Sequence, residues 1–574
     1  EQSDAWAEAV ETAPNGKVTA KHVAEVVDRL LAESEDESDT VTSGELIRLA
    51  QAQAANLRDQ GMRAGDAVVL VMPQGIPLMA AFAGAVLAGG VPAILAYPNF
   101  KVDPVKYTSG LAGVSQNLKA RLVLVDEEFP PEFSVHLRMA DDVVLLRAPK
   151  TSTSVAETRL RVHADPDPDA IAFIQHSAGT TGLQKGVALS HGAVLAQLEH
   201  LATALRIEDR DRIYSWLPLY HDMGLIACFM LPLVYHLPIV MQAPMDWVFR
   251  PGTMLELISS HRCTLAWVPN FALQFMARRV RPEDRREYQL SSLRALINCS
   301  EPVRATSLDE FQDIYGAYGL HPAALQSSYA MAENVFAVTQ SDIGEPPRRL
   351  WVDARRFWSD HVAIPTDAGS EGGLCFVSSG RCLANNRFQI VAADGAPLPD
   401  GAVGEILIRS DSLFTGYYNR PDLTAQVLRD GWYWSGDLGF AVDGELYVVG
   451  RKKDLIIVAG KNIQPQDIEE IVSSHPAIHD GRAVAFGLYN PDLGTEDIVV
   501  VAEAQHENDL SNARAIEAAL RNAIVAELDV APRKIYVKPP RWIVKSTAGK
   551  PARSTTREKL IAEHPELQPL NRHE

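Results

Sequence analysis

The chain has 574 residues, 47% of them hydrophobic, so it is long enough for at least two folding units with large cores. Its 54 basic and 73 acidic residues give a formal net charge of −19 without an extended basic run, which argues against nucleic acid as a partner. The five cysteines are spaced unlike a metal site or a disulfide framework and are typical of a reducing cytosol: Cys228, Cys263, Cys299, Cys375 and Cys382.

The first part of the chain alternates apolar strand-like runs with helical patterns. Residues 1–40 have a helical pattern that ends in an acidic run, and the alternation that follows indicates a parallel sheet covered by helices. We predict strands at 67–72, 91–96, 122–125 and 143–146, and helices at 78–88 and 107–119.

The apolar stretch 76–97 approaches the length of a membrane span. Pro77, the pair Gly89-Gly90 and Pro92 divide it into a helix and a short strand, so we expect no membrane span. The first residues contain neither a basic nor an apolar signal region, which predicts a cytoplasmic protein.

A second α/β succession extends over residues 211–339, and the pattern then changes. Residues 344–373 lack a clear period and indicate an inserted segment, and β-like runs follow at 374–377, 388–391 and 405–409. A charged turn at 450–454 separates two further strand-like runs, 446–449 and 455–458. We therefore predict one domain over 1–452, with the insertion near 344–373, and a second over 453–574.

A loop rich in glycine and threonine follows the apolar run 171–174. It contains Ser177, Gly179, Thr180, Thr181, Gly182 and Lys185, whose hydroxyls and ammonium group, together with backbone N–H groups, suit phosphate oxygens. The loop is not a Walker A motif, because Gln184 and Gly186 stand where that motif needs Gly and Ser or Thr. A nucleotide site is one interpretation, and an ordinary surface loop is the other.

Four further segments occur in order after this loop: Trp216-Leu217-Pro218-Leu219-Tyr220-His221-Asp222-Met223-Gly224, Tyr329-Ala330-Met331-Ala332-Glu333, Tyr433-Trp434-Ser435-Gly436-Asp437, and Gly450-Arg451 with Gly549-Lys550. With the loop, they resemble the adenylate-forming (ANL) superfamily of acyl-CoA synthetases, fatty acyl-AMP ligases and adenylation domains. The resemblance covers roughly residues 45 to 555. It implies an α/β fold: two parallel α/β sheet subdomains and a distorted β-barrel in a large N-terminal domain, and a small mobile α+β C-terminal domain.

The resemblance implies an ATP site and a reaction in which a carboxylate attacks the α-phosphate and pyrophosphate leaves. Such a site needs cations and hydroxyl donors to offset charge repulsion. Thr180, Thr181 and Lys185 would hold the outer phosphates, and Glu333 would bind Mg²⁺. Lys550 would contact the attacking carboxylate and the α-phosphate, with His221 beside the carboxylate. Further nucleotide contacts are implied for Ser177, Gly179, Gly182, Ser300, Glu301, Pro302, Ser328, Tyr329, Asp437 and Arg451.

By the same resemblance, Lys453 is the hinge about which the small domain swings between adenylation and thiol transfer. Three segments and the insertion near 344–373 resemble fatty acyl-AMP ligases more than acyl-CoA synthetases: Pro269-Asn270-Phe271-Ala272, Ser300-Glu301-Pro302-Val303-Arg304, and Gly460-Lys461-Asn462-Ile463-Gln464-Pro465-Gln466-Asp467-Ile468-Glu469. The acid would be large and apolar, in a pocket lined by Trp216, Met223, Trp267, Asn270, Phe271 and Cys299.

The thiol acceptor is left open by the sequence. It would be an acyl carrier protein, a separate thiolating enzyme or, in the alternative of a complete acyl-CoA ligase, CoA. A non-catalytic protein that binds AMP or an acyl-adenylate is a further alternative, and Lys550 distinguishes it from an enzyme because binding alone needs no cation at the α-phosphate.

Overall fold

The computed structural model describes residues 39–98, 104–134, 136–137, 144–148, 167–176, 185–281, 283, 288–458, 461–490, 495–528, 530–545 and 550–567. The first sheet is parallel throughout, and its four strands lie in the order Val91–Ile94, Ala67–Val71, Leu122–Asp126 and Val144–Ala148. The strands Val91–Ile94 and Ala67–Val71 are fully buried apolar runs, as expected for strands covered on both faces, whereas the edge strand Val144–Ala148 is only partly buried at residues 144–146. The predicted strands agree with these bounds to within two residues, and the helices are Ser43–Asp59, Ile76–Leu87, Pro104–Leu118 and Pro131–Ser134.

The second sheet has seven strands, which come from the middle of the chain. Their order is Arg381–Cys382, Ala337–Gln340, Leu325–Ala330, Ala295–Asn298, Leu265–Val268, Ile213–Ser215 and Ile239–Met241. The five strands from Leu325–Ala330 to Ile239–Met241 are parallel, but the other two pair antiparallel, so this sheet is mixed rather than purely parallel as predicted. A separate antiparallel sheet consists of Ile171–His176, Gly186–Ser190 and Gly416–Tyr417, and its strand Ile171–His176 contacts Val91–Ile94 of the first sheet.

Helices follow the strands of the second sheet and cover it. Ser190 caps the first of them by accepting a hydrogen bond from the backbone of Ala193, which satisfies one otherwise unpaired N–H group. The described helices of this part are His191–Leu205, a π-helix at Met223–Met230, Leu231–Val234, Pro244–Phe249, Gly252–His261, Asn270–Arg279 and Ala305–Tyr315.

The β-rich part that follows contains the strands Arg387–Val391, Gly404–Arg409, Trp432–Val442, Leu428–Arg429 and Glu445–Arg451 in one sheet, with the helix Pro421–Val427 beside it. The predicted insertion is more regular than its sequence suggests. It forms the strand Arg349–Asp353 and the helix Ala354–Asp360, and the strand pairs antiparallel with Gly373–Val377. Phe357 of this helix packs on Phe440, which fixes the insertion to the β-sheet.

The last part of the chain has its own apolar cores and is called the C-terminal unit here, residues 456–567. Its strands are Ile456–Val458 with Lys461–Ile463, and a sheet of Ile478–Asn490, Thr495–Ala504 and Lys534–Lys538. Its helices are Pro465–Ser473, Ala513–Leu528 and Arg553–Glu563. Within the described ranges of the whole chain, we find no helix with the length and apolar character that a membrane crossing requires.

Candidate active site

The predicted site residues gather at the carboxyl ends of the parallel strands in the second sheet. Trp216 follows Ile213–Ser215, Asn270 lies just beyond Leu265–Val268, and Ser300 lies just beyond Ala295–Asn298. Ligands of open α/β sheets bind at this edge because the loops that leave the strands converge there. The topology therefore brings together side chains that are more than 80 residues apart in sequence.

Asp437 is held by two partners from different strands. It lies opposite Arg451 in an antiparallel pair, with 3.6 Å between its Oδ1 and Arg451 Nε, and Tyr329 Oη donates to its Oδ2 at 2.6 Å. Burial raises the pKa of Asp437 above its ordinary value, and the nearby Arg451 charge opposes this effect. A carboxylate oriented in this way can accept hydrogen bonds from two neighbouring hydroxyl groups, as a ribose presents them.

Glu333 lies in the short 3₁₀ helix Ala332–Asn334 and accepts a hydrogen bond of 2.8 Å from Tyr417 Oη. The next residue after this helix, Val335, has a φ of 58°, which a β-branched side chain rarely adopts and which marks local backbone strain. The Lys185 ammonium lies 4.5 Å from the centre of the Tyr417 ring, a cation–π arrangement. Tyr417 thus contacts both Lys185 and Glu333.

The Lys550 ammonium reaches from the C-terminal unit into the loop after Ala295–Asn298. Its Nζ donates to the Ser300 carbonyl at 2.8 Å and lies 3.5 Å from Glu301 Oε1. Ser300 has a φ of 69°, in the left-handed region. Glu301 also accepts a hydrogen bond from the Phe271 backbone at 3.0 Å, so the carboxylate that faces Lys550 is fixed at the start of a helix.

His221 and Asp222 lie near Lys550. Burial, with the Lys550 charge, lowers the pKa of His221 to about 4, so its imidazole is neutral at pH 7. Its buried Nε2 has no hydrogen-bond partner in the described part of the chain. Burial raises the pKa of Asp222 to about 6, and the Glu333 charge adds to the increase while Lys550 opposes it.

Four of the six residues predicted for the acyl pocket are apolar or aromatic and buried. Trp216 stacks on Trp247 with ring centres 3.7 Å apart, and Phe271 packs edge-on against Trp247 at 6.1 Å. The Cys299 thiol donates to the Met223 sulfur at 3.0 Å. The members that are at least 91% buried are Trp216, Met223, Trp267, Cys299 and the polar Asn270.

The side chains of two predicted site residues, Asn270 and Ser328, form hydrogen bonds to other residues of the chain. The Asn270 amide accepts from Asn298 Nδ2 at 2.9 Å and from the Arg304 backbone at 3.1 Å, and it donates to Ser307. Ser328 Oγ donates to the Thr339 carbonyl at 2.8 Å within the sheet. Both side chains hold strand and loop ends together. Pro302 lies partly buried in the loop that contacts Lys550.

Five predicted phosphate-loop residues lie outside the described residues: Ser177, Gly179, Thr180, Thr181 and Gly182. Asp222 and Tyr417 were not assigned from the sequence. Asp222 stands directly after His221 in the motif at residues 216–224, so its position was a usable signal. Tyr417 lies in a two-residue strand, and no local pattern marks it.

Comparison with known proteins identifies the family of this chain. The model of the family described as "AMP-binding enzyme" matches residues 17–418. A putative acyl-CoA synthetase of Caulobacter vibrioides is 30% identical over 78% of this chain and 77% of its own length. A medium-chain-fatty-acid–[acyl-carrier-protein] ligase of Moorena producens is 29% identical over 92% of this chain and 91% of its own.

The fold is shared with a solved structure from a study of fatty acyl-adenylate ligases from E. coli and L. pneumophila. The two superpose with a TM-score of 0.83 at 28% identity, over 92% of this chain and 94% of the other. The family model covers well over half of the chain, and the overlay extends into the C-terminal unit. The chain therefore belongs to the AMP-binding enzymes of the adenylate-forming superfamily, which use ATP to activate a carboxylic acid as its acyl-adenylate.

Proposed function

We propose that this enzyme adenylates a large apolar carboxylic acid and passes the acyl group to the thiol of a carrier protein. The observation that carries the proposal is the position of Lys550. Its ammonium, delivered by the C-terminal unit, lies between Ser300 and Glu301 and within electrostatic reach of His221 and Asp222. A cation at this point can offset the repulsion between an incoming carboxylate and the α-phosphate and can stabilise the charge that develops between them.

Each remaining residue has a role in this scheme. Asp437 accepts the ribose hydroxyls, supported by Tyr329 and Arg451. Lys185, with the preceding loop that contains Thr180 and Thr181, holds the phosphates that leave as pyrophosphate. The neutral imidazole of His221 has one N–H group that can donate a hydrogen bond to the substrate carboxylate.

The residues present fit a magnesium ion. Mg²⁺ in nucleotide sites is bound by one or two carboxylates together with substrate phosphates. Glu333 supplies one carboxylate, which Tyr417 orients, and the described residues hold no cluster of three or more His, Cys, Asp or Glu that would form an all-protein cage. Bound there, the ion would neutralise phosphate charge during the reaction.

The aromatic pocket supports the proposed class of acid. The buried Trp216 and Trp247 and the partly buried Phe271 form an aromatic group with no charged member, and such a surface favours an apolar acyl group. The relative in Moorena producens, whose name describes a medium-chain fatty acid ligated to an acyl carrier protein, supports both the acid and the acceptor.

The insertion supports a carrier protein over CoA as the acceptor. Its helix Ala354–Asp360 lies beside the strand Lys461–Ile463 of the C-terminal unit while Phe357 is anchored on the β-sheet. A rotation of the C-terminal unit about Lys453 must break this contact, which restrains the thiol-transfer step. In fatty acyl-AMP ligases, which this chain resembles, such an insertion is thought to limit the use of CoA.

The proposal is tested by pyrophosphate exchange that depends on a carboxylic acid. We expect exchange with fatty, aromatic or polycyclic acids in a matched panel, and an absence of exchange with every acid in correctly folded protein would contradict it. The acceptor is tested by adding CoA or a holo-carrier protein after adenylation. Rapid acyl-CoA formation would replace the carrier-protein assignment with that of a complete acyl-CoA ligase.

A further inference from the structure

The loop at residues 300–304 and the helix Pro465–Ser473 meet across the boundary of the C-terminal unit. Arg304 ends the loop that receives Lys550, and Asp467 and Glu470 lie on the helix Pro465–Ser473, called the docking helix here. The Arg304 guanidinium lies 3.2 Å from Asp467 Oδ1 and 3.4 Å from Glu470 Oε2. The Arg304 and Asp467 side chains are 27% and 17% exposed, so this contact is partly shielded from water.

The docking helix is also tied to the segment that carries Lys550. Glu469 forms ion pairs of 2.8 and 2.9 Å with Arg553 Nη2, and Arg553 Nη1 contacts Asp454 at 2.8 Å. Arg553 lies three residues after Lys550 and opens the helix Arg553–Glu563. The docking helix therefore contacts Arg304 through Asp467 and Glu470, and it contacts Arg553, in the segment that carries Lys550, through Glu469.

These contacts close a ring around the site. The loop after Ala295–Asn298 receives Lys550 through Ser300 and Glu301, and four residues later the same loop binds the docking helix through Arg304. The docking helix in turn binds Arg553, which fixes the segment that delivers Lys550. A shift of the docking helix would move the Lys550 ammonium relative to Ser300, so the Arg304 contact and the Lys550 contact depend on each other.

We propose that Arg304 is a positioning residue for adenylation: by holding the docking helix through Asp467 and Glu470, it places the Lys550 ammonium at the reacting groups. Arg304 itself has no contact with the nucleotide in this scheme. Its loss should lower the rate of acyl-adenylate formation and leave ATP binding unchanged, because the ribose partners Asp437, Tyr329 and Arg451 do not depend on it. Misplacement of a reacting group by about 1 Å can cost up to roughly a hundredfold in rate.

The experiment measures single-turnover acyl-adenylate formation and the Kd for ATP in full-length variants. For Arg304→Met we expect a rate lowered about tenfold or more, an unchanged Kd, and recovery of much of the rate in Arg304→Lys, which keeps the charge. Asp467→Asn should behave like Arg304→Met. Arg349→Met is the matched control, because Arg349 pairs with Asp309 on the large domain and does not contact the docking helix.

The decisive comparison places Arg304→Met in a Lys550→Ala background. If Arg304 acts by positioning Lys550, the double variant is no slower than Lys550→Ala alone, because there is no ammonium left to place. A further loss in the double variant, or an ATP Kd that rises with the loss of rate, would overturn the proposal and assign Arg304 a general structural role. An unchanged rate in Arg304→Met would overturn it directly.

Discussion

Asp222 gives a quantitative prediction because its partly buried carboxyl group lies between groups of opposite charge. Burial raises the pKa of Asp222 from 3.8 to about 6, and the Glu333 carboxylate adds to the increase. The hydrogen bond from the Met223 backbone and the Lys550 charge oppose it. In the folded protein, ionising Asp222 therefore costs more than in the unfolded chain. The wild-type protein loses stability as pH rises from 3.8 through about 6, and the loss is complete above that range.

The size of this loss follows from the two pKa values. At about 1.4 kcal/mol for each pH unit, the difference between 3.8 and about 6 amounts to about 3 kcal/mol at pH 8. At pH 5 the unfolded chain is mostly ionised at this position while the folded protein is mostly protonated, and the same relation gives about 1.6 kcal/mol. Asp222→Asn removes the ionisation and keeps an oxygen that can accept from Met223 N–H.

We therefore expect Asp222→Asn to be more stable than the wild-type protein, with an advantage that grows by about 1.4 kcal/mol between pH 5 and pH 8. The measurement is the thermal unfolding midpoint of both proteins at several pH values in this range. Asp353→Asn, the same change at an exposed helix N-cap, controls for the replacement of a capping carboxylate. An advantage of equal size at pH 5 and pH 8 would refute the reasoning.

Three further substitutions test the site. Lys550→Ala should lower the adenylation rate roughly 10³-fold, because a unit charge about 3.5 to 4 Å away at an effective dielectric constant of about 20 contributes about 4 to 5 kcal/mol. ATP binding should persist. The control is Lys534→Ala, which changes a lysine elsewhere in the C-terminal unit and should leave the rate unchanged. Tyr417→Phe removes the hydroxyl that donates to Glu333. It should raise the magnesium concentration needed for half-maximal activity about fivefold, the equivalent of about 1 kcal/mol. An unchanged magnesium requirement would contradict this role of Tyr417. Asp437→Asn should raise the Kd for ATP about tenfold or more and reduce discrimination against 3′-deoxy-ATP, so undiminished discrimination would place the ribose elsewhere.

The sequence predicted the strands of the first sheet well because each is a short, mostly apolar run, and three of the four are fully buried. It did not predict the helix Ala354–Asp360, since seven residues span only two turns and their pattern is too short to show a period. The antiparallel edge of the second sheet was also missed. Arg381–Cys382 is a two-residue strand, and its pairing with Ala337–Gln340 depends on contacts distant in the chain.

In the candidate site, too, some features could be predicted from local sequence and others depended on contacts between distant residues. Lys550, Glu333 and Asp437 stand in motifs whose order along the chain was informative, and the structure places their partners around them. The contact between Arg304 and Asp467 joins residues 163 positions apart, and neither has a local pattern that names the other. Sequence motifs thus selected the groups that we propose for the chemistry, and the fold was needed to show which residues contact them.

The contacts that hold the C-terminal unit against the site have a strength suited to a reaction in two steps. Among the described residues, four ion pairs join the two parts: Arg304 with Asp467 and with Glu470, Lys550 with Glu301, and Arg278 with Asp480 at 2.5 Å. Their side chains are 17 to 45% exposed, and exposed pairs of this kind contribute about 0.2 to 1 kcal/mol each. Together these ion pairs amount to about 1 to 4 kcal/mol, and the contact between the helix Ala354–Asp360 and the strand Lys461–Ile463 adds to them. Contacts of this strength fit the proposal that Lys550 is held in place for adenylation and that the unit then swings about Lys453 once pyrophosphate has departed. A much stronger, apolar contact would favour the first step and trap the acyl-adenylate before its transfer.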